Sequence, residues 1–276
     1  MAKKRSIFDR LVPRRSPTNG VSSQFAEMLE DRLARSVFQP LVDLRTREIF
    51  AYEALARCSM EVFRSPPVLF DAAVKLGRVG ELGRYLRQTA VDACTNYPLF
   101  LNVHPHEFNE GWLIQPNDPI FWHGESIYLE ITESVPLHYF EQCHSVLAEA
   151  RSKGVYLAVD DLGAGYSNLK YISDLSPEVV KIDRDLIAGV TIGSRGFRLI
   201  KGIVRLCEDM GAKVVAEGIE TPTELGAVIE AGAHYGQGYL LARPGLPPPP
   251  AVWPSEPIAA DDDDAPPDEE LDEELV

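Results

Sequence analysis

At 276 residues and 45% hydrophobic content, the chain holds enough apolar material for one large globular domain or two small ones. The four cysteines, Cys58, Cys94, Cys143 and Cys207, fall far apart and form no CxxC pair, so neither a zinc spacing nor a disulfide framework is suggested. The net charge of −15 is local: eleven acidic and no basic side chains fall in the last 21 residues, leaving −4 for all the rest, so the folded part is not a strongly acidic surface.

Residues 1–21 read as a basic disordered arm, with six Lys and Arg among the first fifteen. These charges suit an anionic membrane surface, but no amphipathic helix accompanies them. No signal-peptide h-region follows, and no apolar run reaches the ~20 residues that span a bilayer. The expected location is the cytoplasm, without a transmembrane segment.

From Ser36 onward, apolar, β-branched runs alternate with helical patterns. "SVFQPLVDL" from Ser36 and "EIFAYEALA" from Glu48 read as strands. Only "RTR" separates them, too short for a crossover helix, so they form an antiparallel hairpin. "LFLNVH" from Leu99, "SIYLEIT" from Ser126, "VYLAVDD" from Val155, "EVVKID" from Glu178, "KVVAEGI" from Lys213 and "GQGYLLA" from Gly236 complete eight strands. Helices fill most gaps: one runs from Pro136 to just before Gly154, another from Ser194 to Gly211. The alternation implies a parallel sheet covered by helices. Eight strands without a break in composition predict an α/β fold, a TIM-like (β/α)8 barrel over residues 22–248, irregular at its antiparallel first strand. Residues 249–276 read as a Pro-rich and acidic disordered tail, a solubiliser before it is a docking element for a basic protein partner.

Catalytic groups of such a barrel sit at the C-terminal ends of its strands, and polar residues fall there: Glu53, Asn102, Glu130, Asp160 with Asp161, Lys181, Glu217 and Gln237. So many carboxylates converging on one rim repel without a cation. Oxygen-only donors suit hard divalent ions, Mg²⁺ or Mn²⁺, rather than zinc. The number of anionic groups points to two ions, with Asp160 or its neighbour bridging. Paired ions roughly 4 Å apart serve in-line attack on a phosphodiester.

Taken together, "FQPLVDL", "YEALAR", "LEITES", "DDLGAGYSNL", "VVKIDR", "VAEGIET" and "GQGYLLARP" resemble, in order, the motifs of the EAL-domain cyclic di-GMP phosphodiesterases. The match runs from about Gln39 to Pro244. The resemblance implies hydrolysis of cyclic di-GMP to linear pGpG. Carried over residue by residue, Glu53, Asn102, Glu130, Asp160, Asp161 and Glu217 match the metal ligands. Lys181 and Glu217 match residues acting on the attacking water, and Glu133 the glutamate that pins the loop after Asp161. Gln39, Leu55, Arg57, Asp183 and Gln237 fall with the substrate-side positions. The resemblance also implies a homodimer, and it calls for no nucleic-acid polymer.

Three residues depart from the family pattern. Leu162 replaces a Phe, Gly83 stands where many members carry an Asp that contacts guanine, and His234 replaces a common Asp. The alternative that these leave open is a catalytically weak or inactive receptor for cyclic di-GMP that acts through protein partners. His104 and His106 read as a loop pair rather than transition-metal ligands, and Trp112 and Trp122 as packing residues.

Overall fold

The computed structural model describes residues 17–110, 113, 115–132, 140–163 and 170–255. Eight strands close a barrel in sequence order: β1 (Ala34–Asp43), β2 (Ile49–Cys58), β3 (Leu99–Asn102), β4 (Ile127–Thr132), β5 (Tyr156–Leu162), β6 (Val179–Ile182), β7 (Lys213–Ala216) and β8 (Tyr235–Gly236). β1 runs antiparallel to β2 and to β8, and the remaining neighbours are parallel. The helices are α1 (Pro17–Glu30), α2 (Pro66–Leu76), α3 (Val79–Ala93), α4 (Glu107–Glu110), α5 (Phe140–Ser152), α6 (Lys170–Leu175), α7 (Arg184–Ile187), α8 (Arg195–Asp209) and α9 (Pro222–Ala231).

Local chemistry sets these boundaries. The Ser194 side chain accepts from the Phe197 amide at the start of α8. Thr221 and Glu224 make a reciprocal capping box on α9, a device worth about 1 kcal/mol. Gly77 ends α2 in a left-handed conformation, which glycine adopts without the Cβ penalty. Along α8, Phe197, Ile200, Val204 and Cys207 are buried, the i, i+3, i+4 spacing of a core-facing stripe.

The lumen is filled by Leu41, Ala51, Phe100, Ala158, Val179 and Val215, with Tyr128 and Tyr235 packed against them. These residues come from all eight strands, and the period-2 alternation of strands makes the next inward position two residues further on. That step lands on Gln39, Glu53, Asn102, Asp160, Lys181 and Glu217, and from the two tyrosines on Glu130 and Gln237. The polar ring is therefore the next layer of a packed barrel.

Three expectations change. β8 is two residues long, and the rest of "GQGYLLA" turns away, with the Leu241 and Ala242 amides both bonding the Gly238 carbonyl. Gly238 lies so close to the Ile219 backbone that a side chain would collide. The described residues also reach past the expected 22–248 span: α1 begins at Pro17. At the other end, the Tyr52 hydroxyl donates to the Pro249 carbonyl at 2.8 Å and Arg47 lies 5.1 Å over the Trp253 ring. Trp122 is 74% exposed rather than packed, because the short turn Pro119–Phe121 buries Pro119 and Ile120 and leaves the next side chain outside. Trp112, Glu133, Pro136 and Gly165 lie outside the described residues.

Candidate metal centre

Lys181 stands in the middle of the ring. Its Nζ lies 2.5 Å from Glu130, 2.7 Å from Glu217, 3.1 Å from Asp160 and 3.4 Å from Glu53. One ammonium thus faces four carboxylates, and Lys181 and Glu130 are almost wholly inaccessible. Glu53 is held from its other side: Gln237 Nε2 donates to Oε2 at 2.7 Å and Asn102 Nδ2 to Oε1 at 3.2 Å. Gln237 also donates to Gln39, whose own amide donates to the Ala242 carbonyl.

Asp161 joins this ring against the alternation rule, which turns adjacent side chains to opposite faces. The backbone resolves the conflict. Asp161 has φ 60° and the β5–β6 register shifts between Val159 and Leu162. In consequence Asp160, Asp161 and Glu217 each bring an oxygen within 4.8 Å of the others. A left-handed backbone at a non-glycine residue stores of order 1–3 kcal/mol and persists where surrounding structure compels it.

The proton affinities follow. Burial pushes Glu130 and Glu217 well above the ordinary carboxylate range, with Lys181 opposing the rise. Burial and the neighbouring Asp160 raise Asp161 to about 6. Asp160 is raised by burial and by Glu53, and Lys181 itself is raised well above its usual value by the carboxylates, against its burial. Glu53 is the exception. Burial would raise it, but the Lys181 charge and the donors Gln237 and Asn102 hold it below the usual value.

The donor set fits hard divalent cations. It offers carboxylates and one amide and no sulfur or imidazole. One lysine leaves an excess of negative charge, and Glu130 Oε2 and Gln237 Oε1 are buried with no hydrogen-bond partner among the described residues. Cations would satisfy both conditions.

Two depressions flank the ring and share Glu53 and Leu55. The larger, about 590 Å³, runs past Arg57, Phe70 and Gly83 to His104. The smaller, about 220 Å³, is lined by Gln39, Arg184, Glu217, Gln237 and Tyr239. Arg57 lines the larger one, and its Nη1 bonds the Ala56 carbonyl. Asp183 is placed differently: its carboxylate accepts from the Asp185 amide and caps α7, and it lines neither depression.

The departures noted in the sequence resolve into packing. Leu162 is buried among Ile182, Ile187 and Phe197. His234 Nδ1 accepts from the Val214 amide and its Nε2 lies 3.4 Å from Glu208, away from the ring. Gly83 faces the Glu107 carboxylate, which occupies the space a side chain at position 83 would need. Glu107 is gripped by Arg87, which also bonds Asp118. Sequence reasoning missed this buried triad; its signal was a lone Arg among the apolar residues Leu82, Leu86 and Ala90 of α3. It also missed Arg184, whose stem packs over Gly218, a glycine at φ 67°, and whose Nη2 pairs with Glu220 at 3.0 Å.

Fold and site define a (β/α)8-type enzyme scaffold with an oxygen-donor centre at its C-terminal rim. The EAL domain family model matches residues 22–244. The chain belongs to the EAL domain family. A cyclic di-GMP phosphodiesterase of Pseudomonas aeruginosa is 32% identical over 224 residues, covering 76% of this chain and 38% of that protein. A probable cyclic di-GMP phosphodiesterase of Escherichia coli is 30% identical, covering 75% and 28%. The chain thus spans well under half the length of these curated relatives. Klebsiella pneumoniae BlrP1, solved with manganese and cyclic di-GMP, superposes with a TM-score of 0.67 at 29% identity, covering 77% of this chain and 56% of that one.

Proposed function

We propose that this chain hydrolyses cyclic di-GMP to linear pGpG at the rim of the barrel, with two divalent cations, Mg²⁺ or Mn²⁺, held by Glu53, Asn102, Glu130, Asp160, Asp161 and Glu217. The observation that carries the reading is the convergence of four carboxylates on Lys181, joined by Asp161 through its left-handed backbone. Bound ions of this kind make water a nucleophile near neutral pH and offset charge developing on phosphorus. The remaining work belongs to the chain. Lys181 Nζ, at the centre of the ring and held as an ammonium by the carboxylates around it, donates to the attacking water and positions it. Glu217, 2.7 Å from that nitrogen, accepts from the same water. Gln237 and Asn102 keep Glu53 ionised and oriented through the bonds described above. Arg57, on the wall of the larger depression, supplies a guanidinium suited to phosphate. Gln39 and Leu55, which line the smaller depression, complete the proposed substrate side, and Glu133, outside the described residues, keeps the loop-holding role that its motif match implies.

The same reading makes the protein cytoplasmic, and among the described residues no helix is long and apolar enough to cross a membrane. It makes the protein a homodimer, for which exposed Leu199 and Leu206 on α8 and Met210 at its C-terminal cap offer apolar surface, and it leaves the acidic tail to a basic protein partner. Incubation of purified protein with cyclic di-GMP and Mg²⁺ or Mn²⁺, with chromatography of products, tests the activity. Accumulation of pGpG is expected. Absence of product under both ions would overturn it, and tight binding without turnover would make the chain a receptor.

A further inference from the structure

The larger depression leads outward from Glu53 and Asn102 to a wall built by the start of α2 and the turn after β3. Phe70, Asp71 and His104 line that wall and take no part in the carboxylate ring. The His104 ring lies flat against Phe70, with 8° between the planes and 5.8 Å between centroids. Its Nδ1 accepts from the His106 amide at 3.2 Å. In the neutral ring the proton is then on Nε2, which makes that nitrogen a donor of fixed direction. Asp71 is an exposed carboxylate beside Phe70, an acceptor at both oxygens. Across the depression, position 83 contributes no side chain, because Glu107 fills the space it would occupy.

The wall therefore presents one oriented donor and one double acceptor. A guanine base has the complementary edges: O6 and N7 accept, while N1–H and the N2 amino group donate. Adenine reverses the first of these by placing an amino donor where guanine has O6. We infer that Asp71 and His104 are a specificity-determining pair that reads one guanine of the substrate, the carboxylate taking N1–H and N2–H and His104 Nε2–H binding O6 or N7. This inference rests on the reading of the rim as a cyclic di-GMP site, and it assigns base recognition to α2 and the β3 turn instead of to position 83.

The test compares Asp71→Asn and His104→Phe with the wild-type protein on cyclic di-GMP and on bis(p-nitrophenyl) phosphate, a phosphodiester without a base, in the presence of Mn²⁺. Asparagine loses the double acceptor, and phenylalanine keeps the flat contact with Phe70 while losing the Nε2–H donor. The ratio of kcat/KM for cyclic di-GMP over that for the nitrophenyl ester is expected to fall about tenfold or more in each variant, in line with one good bidentate base contact. The loss is expected in KM, and competition by cyclic di-AMP strengthens relative to cyclic di-GMP. A ratio within twofold of wild type in both variants would overturn the inference, since general damage to the fold lowers both substrates together. Wild-type protein that cleaves the nitrophenyl ester but neither binds nor cleaves cyclic di-GMP would overturn the parent reading instead.

Discussion

Two buried ionic clusters among the described residues are built on opposite plans. In the triad under the larger depression, Arg87 Nη1 bonds Glu107 at 2.5 Å and Nη2 bonds Asp118 at 2.8 Å. The remaining oxygens are also used: Glu107 Oε1 accepts from the His104 amide and Asp118 Oδ1 from the Ile120 amide. In the Lys181 ring, four carboxylates share one ammonium, and Glu130 Oε2 has no hydrogen-bond partner among the described residues. Burial raises Glu107 above the ordinary range, as it raises Glu130 and Glu217, so burial alone does not separate the clusters. What separates them is satisfaction. A cluster that only ties segments together closes its hydrogen bonds internally, whereas one that receives a ligand keeps acceptors open toward it.

The sharpest way to break this comparison is to remove each central cation. Lys181→Met is expected to lower turnover of cyclic di-GMP by about 10²–10³-fold, the range for loss of one preorganised donor at the reacting centre, and its lost thermal stability should return on adding Mn²⁺. Arg87→Met is expected to cost about 3–5 kcal/mol, because it leaves two carboxylates buried without their cation, and Mn²⁺ should restore none of it. Thermal melts of both variants with and without Mn²⁺ decide the matter. Equal rescue of the two would erase the distinction drawn above.

Gly83→Ala comes next. The added methyl meets the Glu107 carboxylate, and overpacking of this kind costs about 1–3 kcal/mol. A chemical denaturation midpoint unchanged from wild type would show that the triad can move aside. Gln237→Leu removes the donor to Glu53 and should weaken divalent-ion binding about 10–100-fold, as loss of a supporting hydrogen bond does, which calorimetric titration with Mn²⁺ measures.

The smallest effect expected is a pH dependence centred on Asp161, whose carboxyl is raised from 3.8 to about 6. The folded chain then binds this proton more tightly than the unfolded one. The contribution to stability is full below about pH 4 and is lost as pH rises through 6. Divalent-ion affinity runs the other way and strengthens across that interval as the ligand ionises. The difference in melting temperature between wild type and Asp161→Asn, followed from pH 4 to 7 without metal, isolates the effect of this carboxyl. A difference independent of pH would remove Asp161 from the titrating set.

Much of this was legible in the chain itself. Glu53, Asn102, Glu130 and Lys181 interrupt apolar runs of fixed period, so their common orientation follows from alternation and needs no coordinates. The "RTR" connection announced the antiparallel first strand for the same reason, a limit on what three residues can span. Asp161 was read in the site, but alternation alone argued against it.

What the sequence determined by itself is therefore the barrel, its irregular start and the inward polar layer, because strand period and loop length are local properties. Tertiary structure alone decided three further points: the left-handed turn at Asp161, the choice of Lys181 as the centre of the ring, and the exchange by which Glu107 fills the space at Gly83. Each depends on groups far apart in sequence meeting in one small volume, where sterics and unbalanced charge select a geometry that no local pattern encodes. Glu107 reaches Gly83 from 24 positions away. No local pattern links those two residues; the packing of α3 against the start of α4 does.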